Sequence, residues 1–122
     1  MKLTEVLSEP ARWWQGDLQI YTGGSLGGAR VEAVCLMGAI HAVCGGPQIG
    51  DTRRRAQARY RLGLAGVQRY TDVMTAVIRE LFPRSLDADD GIEDFNDAPR
   101  RTFAQIHRVA EETDRRMMLE AS

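Results

Sequence analysis

The stretch VEAVCLMGAIHAVCGG, Val31 to Gly46, limits what this chain can fold into more than any other. A surface helix would carry a polar stripe, and here only Glu32 and His41 interrupt the apolar residues. The segment therefore reads as a buried central helix, closed by Gly45-Gly46 with Pro47 just beyond. Gly38 and Ala39 in its middle would let a neighbouring element approach closely. The apolar run from Val31 to Val43 is too short to span a bilayer, so no membrane association is expected.

One such core suits a chain of 122 residues, which is expected to form a single domain over 1–122. With 43% hydrophobic and 27% charged residues the composition is that of a soluble globular protein. A net charge of -1 sets up no global field toward nucleic acid or membrane. The start MKLTEVLSEP lacks the apolar core of a secretory signal, which predicts a cytoplasmic protein. Cys35 and Cys44, about 13 Å apart along a helix, lie beyond disulfide reach and read as reduced core thiols.

Flanking segments supply the layers around that helix. Residues 3–15 read as a helical start capped by Thr4, broken at Pro10, with a second short turn capped by Ser8 and carrying Trp13 and Trp14. QGDLQIYTGGSLGGARV alternates at Leu18 and Ile20 and reads as a β-hairpin near residues 17–31. Asp51 or Thr52 caps the next helix. Apolar steps of three or four run on from Tyr60 through Leu64, Val67, Tyr70, Met74, Val77 and Leu81. Gly63 and Gly66 predict a bend or two helices. Residues 84–94 form an acidic loop. Thr102-Phe103-Ala104-Gln105 is a capping-box pattern opening a last helix whose stripe is Phe103, Ile106, Ala110, Thr113 and Met117. The expected fold is mostly α, a single compact domain of four to five helices with a small β-hairpin.

Several motifs invite chemistry. The glycines of TGGSLGG lack the lysine of a phosphate loop and the spacing of a dinucleotide fingerprint, so a hairpin tip is the better reading. Cys35, His41 and Cys44 do not share one helix face, and a structural zinc site needs four ligands. No metal or cofactor is expected. Arg53, Arg54, Arg55, Arg59, Arg61 and Arg69 make 52–69 basic with no acidic residue inside it. Such a stripe could contact phosphates, but the acidic residues Asp87, Asp89, Asp90, Glu93 and Asp94 could equally neutralise it. Cys35 with His41 or His107, oriented by Asn96 or Asp97, is a formal nucleophile arrangement. Its buried helix, however, offers no nearby cation to lower a thiol pKa.

The segment FNDAPRRT, Phe95 to Thr102, reads as architecture. Asn96 and Asp97 can satisfy backbone donors in a turn, Pro99 stiffens it, and Phe95 with Ile92 anchors it to the core. An Asp97 directed into an open cleft beside Cys35 would argue for function instead.

Three pieces line up in order: Trp13-Trp14-Gln15-Gly16, Cys35-Leu36-Met37-Gly38-Ala39, and Phe95-Asn96-Asp97-Ala98-Pro99. This W-x-Q-G … C-x-x-G-A … [WF]-N-D-x-P pattern resembles a family of small domains of unknown function from actinobacteria and their phages. The chain departs from it at Val34, where an aromatic is usual, at Phe95 in place of tryptophan, and in a longer middle over 52–82. The resemblance implies an accessory protein of phage or bacterial origin acting on a host or phage partner, and brings no activity. The leading expectation is accordingly a non-enzymatic protein-binding factor. Its contacts would be Trp13, Trp14, the hairpin tip, and Arg53, Arg54, Arg55, Arg59 and Arg61, since arginine and tryptophan are common interface anchors. A homodimer is compatible with this. The alternatives are a nucleic-acid-associated module using 52–69 and a small enzyme around Cys35 and Asn96-Asp97.

Overall fold

The computed structural model describes residues 1–22, 29–87 and 89–121. The glycine-rich hairpin tip, expected as a contact, lies outside the described residues. The fold is mostly α. In order come α1 (Leu3–Val6), a 3-10 turn (Pro10–Arg12), β1 (Gln19–Thr22), β2 (Arg30–Val34), α2 (Leu36–Val43), α3 (Arg53–Leu62), α4 (Val67–Leu81), α5 (Ile92–Asp97) and α6 (Phe103–Ala121).

The central segment is not one helix. Its first part is β2, and Cys35 stands between strand and helix as the N-cap of α2, its Sγ accepting from Gly38 N–H at 3.4 Å. Val31, Ala33 and Val34 are buried while Arg30 and Glu32 are exposed, the alternation of a half-buried strand. β2 pairs antiparallel with β1, from Gln19 opposite Val34 to Thr22 opposite Arg30, with a bulge-like register shift between Ile20 and Tyr21. Its other edge is also covered: Trp14 N–H donates to Val34 O, and Val31 N–H to Asp51 O. A strand covered on both edges explains why so apolar a segment left helical geometry.

Helix α2 remains the centre of the core, with Leu36, Ala39 and Ile40 fully buried. A Cβ on Gly38 would stand 2.2 Å from Leu18 O, so the close approach expected there occurs, against the chain entering β1. α4 and α6 cross this centre antiparallel: Arg69 pairs with Glu120 at one end, and Arg108 lies over Phe82 at the other. Their buried faces are Val73, Met74, Val77 and Ile78 on α4, and Ile106, Val109, Ala110 and Thr113 on α6.

Other boundaries shift for local reasons. Thr4 does not cap α1. That role falls to Asp114 of α6, whose carboxylate accepts from Leu3 N–H (2.8 Å), Thr4 N–H (3.1 Å) and Thr4 Oγ1–H (3.0 Å). The second turn starts from Glu9 rather than Ser8, and Trp13 follows it in extended backbone. Thr52 caps α3 (Oγ1 accepts from Arg55 N–H, 3.3 Å), and Gly63 and Gly66 separate it from α4 as two helices. Residues 92–97 are helical, not loop. Thr102 and Gln105 form the reciprocal capping box of α6. Among the described residues no helix is long and apolar enough to cross a membrane.

Candidate functional site

Phe95, Asn96 and Asp97 form the last turn of α5. Phe95 fills the core under the rings of Phe82 (5.3 Å) and the guanidinium of Arg101 (3.7 Å), whose Nε–H donates to Phe95 O at 2.8 Å. Burial lowers the Arg101 pKa from its ordinary value. Asn96 is fully buried, and its amide is saturated. Oδ1 accepts from Trp13 Nε1–H (2.8 Å) and Leu36 N–H (3.1 Å), and Nδ2–H donates to Trp14 O (3.0 Å) and Asp97 Oδ1 (2.8 Å). Gln15 Nε2–H donates to Asn96 O (2.9 Å) and Ala98 O (3.1 Å), and Gly16 N–H to Asp97 Oδ1 (2.8 Å). One turn of helix thus ties WWQG, the first turn of α2 and the chain leading to α6 together. Pro99 and Thr102 follow on the surface, the latter as the α6 cap.

Asp97 also borders an open cleft of about 680 Å³. Asp17 and Leu18 before β1, Tyr21, Cys35, Glu93 of α5, and the Arg53, Ala56 and Tyr60 face of α3 line it. Cys35 and Asp97 therefore share a cavity, with Asn96 sealed behind it. Cys35 is only 4% exposed. Burial first, and then the negative charge of Asp97 and Glu93, push its thiol pKa up, although backbone N–H groups at Gly38 and Met37 oppose this. Neither histidine is bonded to it. His41 stacks on Tyr60 (5.0 Å), its Nδ1 buried with no hydrogen-bond partner among the described residues, and His107 pairs with Glu111 (2.9 Å). Burial lowers the His41 pKa, against a backbone hydrogen bond with Gly63. The arrangement holds a protonated thiol beside carboxylates, which disfavours a thiolate nucleophile. Cys44 is likewise free and pushed up by burial. Among the described residues no group of three or more His, Cys, Asp or Glu could hold a metal ion.

The expected contact residues are spread apart. Trp13 is half-buried, its ring near Phe103 (6.5 Å) and its N–H committed to Asn96, whereas Trp14 is 40% exposed. Arg53 lies over the Tyr21 ring (5.1 Å) and Arg59 pairs with Asp51 (3.3 Å). Arg54, Arg55 and Arg61 are exposed, and their side chains have no hydrogen-bond or ion-pair partner among the described residues. The acidic segment does not neutralise them. Asp90 accepts from Asp87 N–H (2.9 Å) and Asp94 from Gly91 N–H (2.8 Å), so these carboxylates serve their own turns. Sequence reasoning missed Asp17, Tyr21 and Tyr60 as cleft residues. Nothing in the local pattern marks residues that meet only through the fold, although Gln15 stood inside a motif already singled out.

No curated protein and no solved structure gives a significant match to the chain. A family model does match, over residues 2–116, covering the Trp13-Gly16 segment, α2 and the Asn96 turn that bonds them together. The chain belongs to this family, the family of unknown function DUF6197.

Proposed function

We propose that this protein is a non-enzymatic binding factor, an accessory protein of phage or bacterial origin that docks on a protein partner through α3 and the turn after it. The observation that carries this reading is the state of α3. Ala56 is its one buried residue, while Arg54, Arg55 and Arg61 stand in solvent with no partner among the described residues. Beside them Tyr60, Leu62 and Leu64 are exposed by 39%, 79% and 55%. Arginine and aromatic side chains next to bare leucines have the composition of an interface core rather than of a solvated rim. Trp14 adds a second exposed aromatic. The test is comparative capture from the source cell with the wild-type chain and the R54E/R55E/R61E variant. A partner held by the wild type and lost by the variant supports the reading, and a partner held equally by both removes it.

A nucleic-acid-associated role is the second reading. It is favoured by a groove of about 490 Å³ at the start of α3, lined by Arg30, Arg54 and Arg55. The expected sign is DNA or RNA binding that falls steeply with salt and vanishes in the same variant.

A further inference from the structure

We propose that His41 holds the far end of α3 in place only while its imidazole is neutral, so that acid releases that end while the start of α3 stays pinned to β2. This stands without the protein-binding reading; its consequence there is that docking through α3 becomes acid-sensitive. His41 is 6% exposed, and its Nδ1 has no hydrogen-bond partner among the described residues. Its ring stacks on Tyr60 of α3 at 5.0 Å. The backbone hydrogen bond with Gly63 favours the protonated ring, so the ring donates it, and with Nδ1 empty the donor is Nε2. The neutral tautomer therefore fits the site. A second proton has to enter at Nδ1, which places a charged N–H in the interior with no acceptor. Burial accordingly lowers the His41 pKa despite Gly63.

The elements packed on His41 offer an imidazolium no carboxylate. α3 brings Tyr60 and five arginines, Arg53, Arg54, Arg55, Arg59 and Arg61, with no acidic residue, and Asp51 is already committed to Arg59 (3.3 Å). The turn at 44–46, where Gly46 N–H donates to His41 O (2.7 Å), brings Cys44, a thiol kept protonated by burial. The turn at 63–66 has no titratable side chain, and no charged group contributes to the His41 shift. The Tyr60 face attracts a cation only weakly, since that residue is 39% exposed. α3 is also the element that yields. Ala56 is its one buried residue, against Val73, Met74, Val77 and Ile78 on α4. Its start is tied down by Arg53 N–H to Ala29 O (2.9 Å) and Val31 N–H to Asp51 O (2.8 Å). Its end rests on the His41 stack and on Gly63 against Gly46, and Gly66, at φ +84, provides a hinge before α4.

The experiment is amide hydrogen exchange of the full chain from about pH 7.5 to about pH 5, corrected for intrinsic rates. Protection of the α3 amides is expected to fall about tenfold per pH unit below the ordinary histidine value near 6.5, with α4 and α6 still protected where α3 no longer is. The chain has two histidines, and His107, paired with Glu111 along α6, supplies the control. H41Q should make α3 protection independent of pH, and H107Q should keep the wild-type response. Flat α3 protection overturns the proposal, as does one common exchange rate for α3 and α4 at every pH. A response that persists in H41Q or disappears in H107Q overturns it too. Should H41Q not fold, the Cε1–H NMR signal of His41 in H107Q decides: its titration must track the loss of α3 protection, and one without the other sinks the inference. No partner protein is needed. A chain that captures nothing can still pass, and one that captures its partner but keeps α3 fixed in acid fails this inference alone.

Discussion

Both polar atoms of the Asn96 side chain are bonded and buried, whereas along α3 three arginines point into solvent with no partner among the described residues. The α5 turn meets a different face of α3, that of Arg53, Ala56 and Tyr60, across one cleft, and the two regions are built in opposite ways. The α5 turn joins segments far apart in sequence, so its residues carry the fold. The α3 helix rests on small contacts: Ala56, the Tyr60–His41 stack, the Arg59–Asp51 pair, and Gly63 against Gly46. The proposed docking through α3 rests on that contrast.

Substitutions can break the contrast, and the largest effect belongs to the scaffold. Asn96→Ala leaves the Trp13 indole N–H and the Leu36 amide without acceptors, and should cost about 3 kcal/mol in chemical denaturation. A loss under about 1 kcal/mol would mean the turn is not a hub. Next comes the point where α3 is pinned. A Cβ on Gly63 would stand 2.3 Å from Gly46 N, so Gly63→Ala should cost about 2 kcal/mol. Hydrogen exchange should then rise in α3 before it rises in α4 or α6.

A third effect is read by pH. His41 sits neutral with its pKa lowered, so the unfolded chain takes up a proton first as pH falls below the ordinary histidine value near 6.5. Stability should decline from that point until the folded pKa is passed. His41→Gln should flatten that part of the profile, and an unchanged slope would assign it to other groups. The smallest effect closes the comparison from the other side. R54Q/R55Q/R61Q should shift stability by no more than about 0.5 kcal/mol, because those side chains touch nothing that folding needs. A larger loss would return α3 to the scaffold.

The helices were legible because period and caps are local. Thr52 and the Thr102–Gln105 box start α3 and α6 where the residue types place them, and Gly63 with Gly66 divides the long middle. The errors came where a partner decides. Val31 to Val34 is apolar enough for a buried helix or a buried strand, and periodicity alone does not separate the two. β1 on one edge and the 13–14 and 50–53 segments on the other settled it as strand. Thr4 has the chemistry of a cap, yet Asp114 from the other end of the chain took that place. The stripe through Tyr60 and Leu64 has core spacing, but the turn at 63–66 rotated those residues outward.

The candidate site divides the same way. FNDAP read as architecture, and in the structure the Asn96 side chain is buried with both its polar atoms bonded. That Asp97 also borders a cavity with Cys35 follows from packing alone. The sequence by itself determined the mostly α class, the capped helices and the apolar centre, since each depends on residues within a turn or two of one another. Only the tertiary structure decided which polar groups are spent and which are free, because Trp13, Trp14 and Leu36, which bond the Asn96 side chain, lie 60 to 83 residues away and a local pattern carries no record of such pairings.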